Sequence, residues 1–219
     1  MYIWDFSPLW KYRFLFLEGI WVSIALTAAV IVLGLICGLL GAAGQLSRFR
    51  ILRWLSWLYI EFFRTTPLLV QLVWVYYALP ILSGVELSAI SAAVLSLSLY
   101  GGSFYAEVIR GGIVSIDPGQ SEAGLALGLT PSRVMRRIVL PQAFKRMIPP
   151  LMNQSILMFK NTSLVSILAV PDILYQAQRA TMDTYRPLEV YTAVALIYVA
   201  ILLPLTALAK FMERRLKEY

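Results

Sequence analysis

The feature that most limits what this chain can become is a run of five long apolar stretches. They lie at about 19–42, 58–79, 87–106, 148–170 and 190–209. Each reaches the roughly 20 residues that an α-helix needs to cross a hydrocarbon layer. Inside lipid no water is present to satisfy backbone N–H and C=O groups, so spanning segments become helices or closed barrels. The charged share supports this: 14% of the 219 residues, where a soluble domain carries about 25%. The expectation is an all-α integral membrane protein with five transmembrane helices, organised as one domain without tandem repeats.

The basic residues orient it. Of the nineteen Lys and Arg, the connections at 48–53, 110–146 and 210–217 hold three, six and four. The alternate set holds only Lys11, Arg13, Arg179 and Arg186. Positive residues collect on the cytoplasmic side of membrane proteins, so the N-terminus is expected outside and the C-terminus inside, in the inner membrane. Residues 1–18 then form an outer interfacial segment, 19–209 the membrane domain and 210–219 a basic cytoplasmic tail. Trp4, Trp10 and Tyr12 suit one interface; Trp54, Trp57 and Tyr59 suit the other. The first span is too long for a signal-peptide core of roughly 7–15 residues and is expected to stay as a span.

Chemistry is limited by what is missing. The chain has no histidine and one cysteine, Cys37, which removes Ser-His and Cys-His dyads, His-ligated zinc and any internal disulfide. It has no Gly-rich phosphate loop. It is therefore not expected to be an enzyme or to bind a cofactor itself, and any ATP-driven motor must be another polypeptide.

The longest cytoplasmic connection contains "DPGQSEAGLALGLTPSRVMRRIVLP", residues 117–141. Asp117 reads as an N-cap, Pro118 as the first helical residue, Gln120 as the partner in a capping box and Gly128 as the terminating C′ residue. Thr130 and Pro131 open a second short helix that Pro141 closes. Each is about 15 Å long at ten residues, too short to cross a bilayer. In the second, Val134, Met135, Ile138 and Val139 share one face, and Arg133, Arg136 and Arg137 the other. Three readings follow: a turn resting on the inner leaflet, a DNA-binding helix-turn-helix, or a docking element for a cytoplasmic partner. Five spans and no further basic surface argue against nucleic acid.

Glu122-Ala123, Gly128, Ile138, Leu140 and Pro141, with nine residues between Gly128 and Ile138, resemble the EAA loop of type I ATP-binding-cassette (ABC) importer permeases. Gly124 departs from the pattern, which has Ala there. "EFFRTTPLLVQL" (61–72), "GGSFYAEVIRGGIVSIDPGQ" (101–120) and "FKNTSLVSILAVPDIL" (159–174) extend the resemblance to the polar amino-acid uptake branch, over nearly the whole chain after about residue 18. The resemblance implies a coupling helix seated in a groove of an ATP-binding subunit. Glu122, Ala123, Gly124, Leu125, Ala126 and Gly128 would make the contact. It further implies two such subunits carrying ATP and Mg, a second permease subunit, identical or homologous, a solute-binding protein outside, and an amino-acid substrate. A self-contained secondary transporter or channel is the alternative; it would commonly show duplicated halves, and none is visible.

Charged groups at membrane depth mark function or pairing. Lys160, followed by Asn161, Thr162 and Ser163, has Asn153 on the same helical face. This stripe either lines an amino-acid path, or Lys160 pairs permanently with Glu107 or Glu61. Glu61 and Arg64 read as snorkelling groups or a gate. Gln71, Tyr76 and Tyr77 are further path candidates, and 171–186 is expected to form an outer loop for the binding protein.

Overall fold

The computed structural model describes residues 2–217, and among them there is no strand. Nine helices follow one another in these residues: α1 (Ser7–Lys11), α2 (Arg13–Gln45), α3 (Arg50–Thr65), α4 (Leu68–Ser83), α5 (Ala89–Val114), α6 (Pro118–Ala126), α7 (Pro131–Leu168), α8 (Ile173–Thr184) and α9 (Pro187–Lys217). Three of them, α2, α5 and α9, are long and apolar enough to span alone; counting α3–α4 and α7–α8 as bent spans raises the number to five.

The second apolar stretch is therefore not one straight helix, as its composition leads one to expect, but two that meet at 106°. The cause is local. Pro67 pushes the residue before it out of the helical region, and Thr66 sits at φ −88°, ψ 133°. The carbonyls freed by the break are capped from within: Gln71 Nε2 donates to the carbonyls of Phe63 and Thr66, both at 3.0 Å.

Prolines elsewhere do not end helices. Contrary to the expectation that Pro141 closes a short helix, α7 runs through it. Met135–Val139 forms a single π-helical turn ending two residues before Pro141, and Trp74–Ala78 does the same before Pro80. A wider turn lets the carbonyl four residues back clear the proline ring and find another donor. The outer loop expected at 171–186 is also a helix: α8, N-capped by the Asp172 carboxylate, which accepts from the Tyr175 amide at 2.8 Å.

The closest helix pair is α2 against α5. A Cβ on Gly38 would lie 2.6 Å from Tyr105 Cβ, and one on Gly102 would lie 2.6 Å from Cys37 Cβ. Lipid offers no hydrophobic drive between helices, so backbone proximity and dispersion hold such pairs. Tyr105 is fully buried between them, and its hydroxyl meets Ser155 Oγ on α7 at 2.9 Å. At one end, a second core joins α2, α3 and α5 to the start of α7 through Ala42, Ile60, Ala106, Ile109, Val134 and Val139. At the other, Phe16, Phe159, Ile173, Ala177 and Val190 join α2, α7, α8 and α9. Large apolar side chains stay exposed along α2 and α9, Leu40 and Leu203 among them, as a lipid-facing or subunit-facing surface requires.

Candidate functional site

α6 is built by its ends. Asp117 accepts from the Gly119 amide at 2.7 Å, and Pro118 occupies the first turn, where its missing N–H costs nothing. Gln120 does not complete a capping box; its side-chain oxygen faces Gln142 Nε2 on α7 at 3.5 Å. The C-terminus is a Schellman motif: Leu129 N–H reaches Gly124 O at 3.1 Å, Gly128 N–H reaches Leu125 O at 2.9 Å, and Gly128 takes φ +77°.

The packing decides which face is presented. Gly124 is buried, and a Cβ there would lie 2.7 Å from Ile138 Cδ1 and 3.0 Å from Val134 Cγ2. The departure from the loop pattern is thus a close approach of α6 to α7. Glu122, Ala123, Leu125, Ala126 and Gly128 are all exposed. So are Arg133, Arg136 and Arg137, while Val134 and Val139 are buried and Ile138 half-buried. Met135, which shares the apolar face in the sequence pattern, is exposed. Thr130 sits at the N-cap of α7 without a side-chain hydrogen bond. The Arg146 guanidinium donates to the Ser115 carbonyl and ties α7 to the end of α5. What results is a short, rigid helix backed by the core, with an apolar and acidic outer face beside three arginines.

At the same end, Glu61, Arg64 and Glu107 come together. Glu107 is gripped by Arg110, at 3.0 and 3.1 Å, and approached by Arg64 at 3.6 Å. Sequence reasoning missed Arg110, although its three-residue spacing from Glu107 on one helix is a readable signal. Of the two readings of Lys160, the pairing with Glu107 or Glu61 is not formed within the chain: its ammonium has no ion-pair partner among the described residues. Lys160 and Asn153 are exposed on one face of α7, with Asn161 and Ser163 half-exposed beside them. Thr162 is not on that face; it is buried and its hydroxyl donates to the Phe159 carbonyl at 2.7 Å. Gln71 leaves the path candidates too, being 5% exposed and committed to the α3–α4 break. Tyr76 is half-buried and Tyr77 exposed.

At the opposite end an unexpected network fastens the N-terminal segment. Buried Glu189 accepts from the Tyr2 hydroxyl at 2.6 Å, the Asp5 amide at 3.0 Å and Arg186 at 3.2 Å. Arg186 also donates to the Ile3 carbonyl. The Ser7 amide, donating to Asp5, holds that carboxyl below its ordinary range.

An all-helical membrane protein with bent spans and a capped, outward-facing helix in its longest connection has the fold of a type I ABC importer's transmembrane component. The chain belongs to the family of binding-protein-dependent transport system inner membrane components, whose model matches residues 30–218. It is 37% identical to the arginine transport system permease protein ArtQ of Bacillus subtilis, over 97% of both chains. It is 36% identical to the glutamine transport system permease protein GlnP of Escherichia coli, over 97% of this chain and 98% of that one. A crystal structure of an amino acid ABC transporter with histidines superposes with a TM-score of 0.93 at 36% identity, covering 98% of this chain and all of that one. The methionine transporter MetNI, inward facing, shares the fold at 19% identity and a TM-score of 0.78.

Proposed function

We propose that this chain is the membrane subunit through which a polar amino acid is imported, driven by ATP hydrolysis on two separate ATP-binding subunits. A second permease subunit, identical or homologous, completes the path, and a solute-binding protein delivers substrate from outside. The observation that carries this reading is α6. A capped helix locked to the core by Gly124 transmits displacement as a rigid body, whereas a mobile loop would absorb it. Its exposed Glu122, Ala123, Leu125 and Ala126 offer small and apolar knobs with one charge, suited to a groove in a partner. ATP and Mg reside on those partners, and this chain catalyses nothing itself.

The orientation argued from lysine and arginine puts α6 and the C-terminal tail in the cytoplasm and the Tyr2–Glu189 network outside, with 19–209 as the permease domain. Asn153, Lys160, Asn161 and Ser163 on the open face of α7 line the path, Lys160 facing the substrate carboxylate. Arg64, Glu107 and Glu61 act near the inner mouth.

Uptake into proteoliposomes holding the chain with its ATPase tests the reading. A labelled polar amino acid, presented with the binding protein, should enter only when ATP is enclosed with the ATPase. Uptake that instead follows an ion gradient, with no ATPase in the complex, would establish a self-contained transporter.

A further inference from the structure

One face of α3, with the end of α2 and the C-terminal part of α5, lines a cleft of about 580 Å³. Four guanidinium groups line it, those of Arg50, Arg53, Arg64 and Arg110, against the carboxylates of Glu61 and Glu107. Arg64 and Arg110 are engaged with Glu107. Arg50 and Arg53 have no carboxylate partner among the described residues, and neither has Glu61 a cationic one. Four guanidinium groups against two carboxylates leave the cleft with a net charge of +2. Its wall is Trp54 and Trp57, 57% and 51% exposed, and such amphipathic rings settle at the boundary between headgroups and hydrocarbon.

We propose that this cleft binds the phosphodiester headgroup of an anionic membrane phospholipid. Arg50 and Arg53 supply charge-assisted hydrogen bonds to the phosphate oxygens, and the two indoles flank the glycerol. Basic pockets between helices at the membrane surface hold such headgroups. A phosphodiester neutralises part of this charge, and the exposed indoles of Trp54 and Trp57 beside the arginines favour an occupant that reaches the hydrocarbon boundary over free inorganic phosphate.

The test is native mass spectrometry of the full chain released from nanodiscs of phosphatidylcholine with phosphatidylglycerol. One phosphatidylglycerol should stay bound, and removing two arginine contacts by Arg50→Gln with Arg53→Gln should weaken retention roughly thirtyfold. Glu61→Gln should strengthen it, a gain that misfolding does not produce. Lys210→Gln with Arg214→Gln, in the exposed tail, should leave it unchanged, and added inorganic phosphate should not displace the lipid. Equal retention in parent and double arginine variant, weaker retention in Glu61→Gln, or displacement by inorganic phosphate would each overturn the headgroup site.

Discussion

Gly124 shows how one missing methyl group positions an exposed helix. The atom nearest to an added Cβ is the mobile end of Ile138, at 2.7 Å, with Val134 at 3.0 Å behind it. Alanine therefore requires only a small shift, and Gly124→Ala should retain uptake within about twofold. Valine adds bulk against two buried side chains and costs about 1–3 kcal/mol of overpacking. Gly124→Val should push α6 out of register and lower uptake severalfold while the chain still inserts. Equal uptake in the alanine and valine variants would show that the seat of α6 does not matter. Gly128 is constrained by conformation rather than space: nothing lies within 4 Å of a Cβ added there, but its φ is +77°, which a β-branched residue strongly resists. In the sequence Gly128 already reads as a left-handed C′ residue, whereas Gly124 stands out only as a small residue departing from the loop pattern. That Gly124 needs room emerges only from its neighbours Ile138 and Val134.

Among the elements, the tightest helix pair and the sharpest break invite separate tests. Gly38→Ala places a Cβ 2.6 Å from Tyr105 Cβ and 3.1 Å from the Ala106 backbone nitrogen, neither of which moves cheaply. It should destabilise the α2–α5 pair by about 1–3 kcal/mol. Gly111→Ala, on α5 itself, meets nothing within 4 Å and should be neutral or slightly stabilising in the isolated chain. Thermal unfolding in detergent distinguishes them; similar melting for both would refute close packing as the bond between these helices. At the break, Gln71→Leu removes the two bonds that cap Phe63 and Thr66. Leaving those carbonyls unsatisfied should cost about 1–3 kcal/mol, seen as earlier melting.

The elements are unevenly legible in the sequence. The five apolar stretches and the ends of α6 follow from length and capping chemistry. The 106° break at Pro67 is written in "RTTPLL", but the hydropathy of a window averages across it. The passage of α7 through Pro141 depends on a π turn, which has no residue signature of its own. Gln71 reads as a polar group at membrane depth, and only the break beside it supplies two carbonyls to cap.

On the scale of the whole molecule, the two ends differ in chemistry. One holds α6, the arginines of α7 and the Glu107 cluster; the other holds the Tyr2–Asp5–Arg186–Glu189 network. In the proposed orientation the first faces the cytoplasm. A cysteine replacing exposed Ser83 should react with an impermeant thiol reagent added outside intact cells, and one replacing exposed Ser132 should not. Equal labelling would reverse or abolish that assignment. Lys160 has no ion pair among the described residues, so Lys160→Met should change uptake or substrate-stimulated ATP hydrolysis without loss of assembly. Loss of assembly instead would mean that Lys160 pairs across to another subunit.

The central claim is that α6 is where an ATP-hydrolysing partner grips the membrane subunit, and one cross-linking measurement reaches it directly. Ala126 is exposed beside Glu122 and Leu125, so a cysteine there lies within reach of anything seated on the helix. In membranes containing the assembled transporter, Ala126→Cys should form a cross-link to the ATP-binding subunit. Adding Glu122→Lys, which reverses the charge of the docking face, should reduce that product while the chain remains inserted. An Ala126→Cys chain that transports normally yet never cross-links to an ATPase would contradict the account, leaving α6 a surface turn.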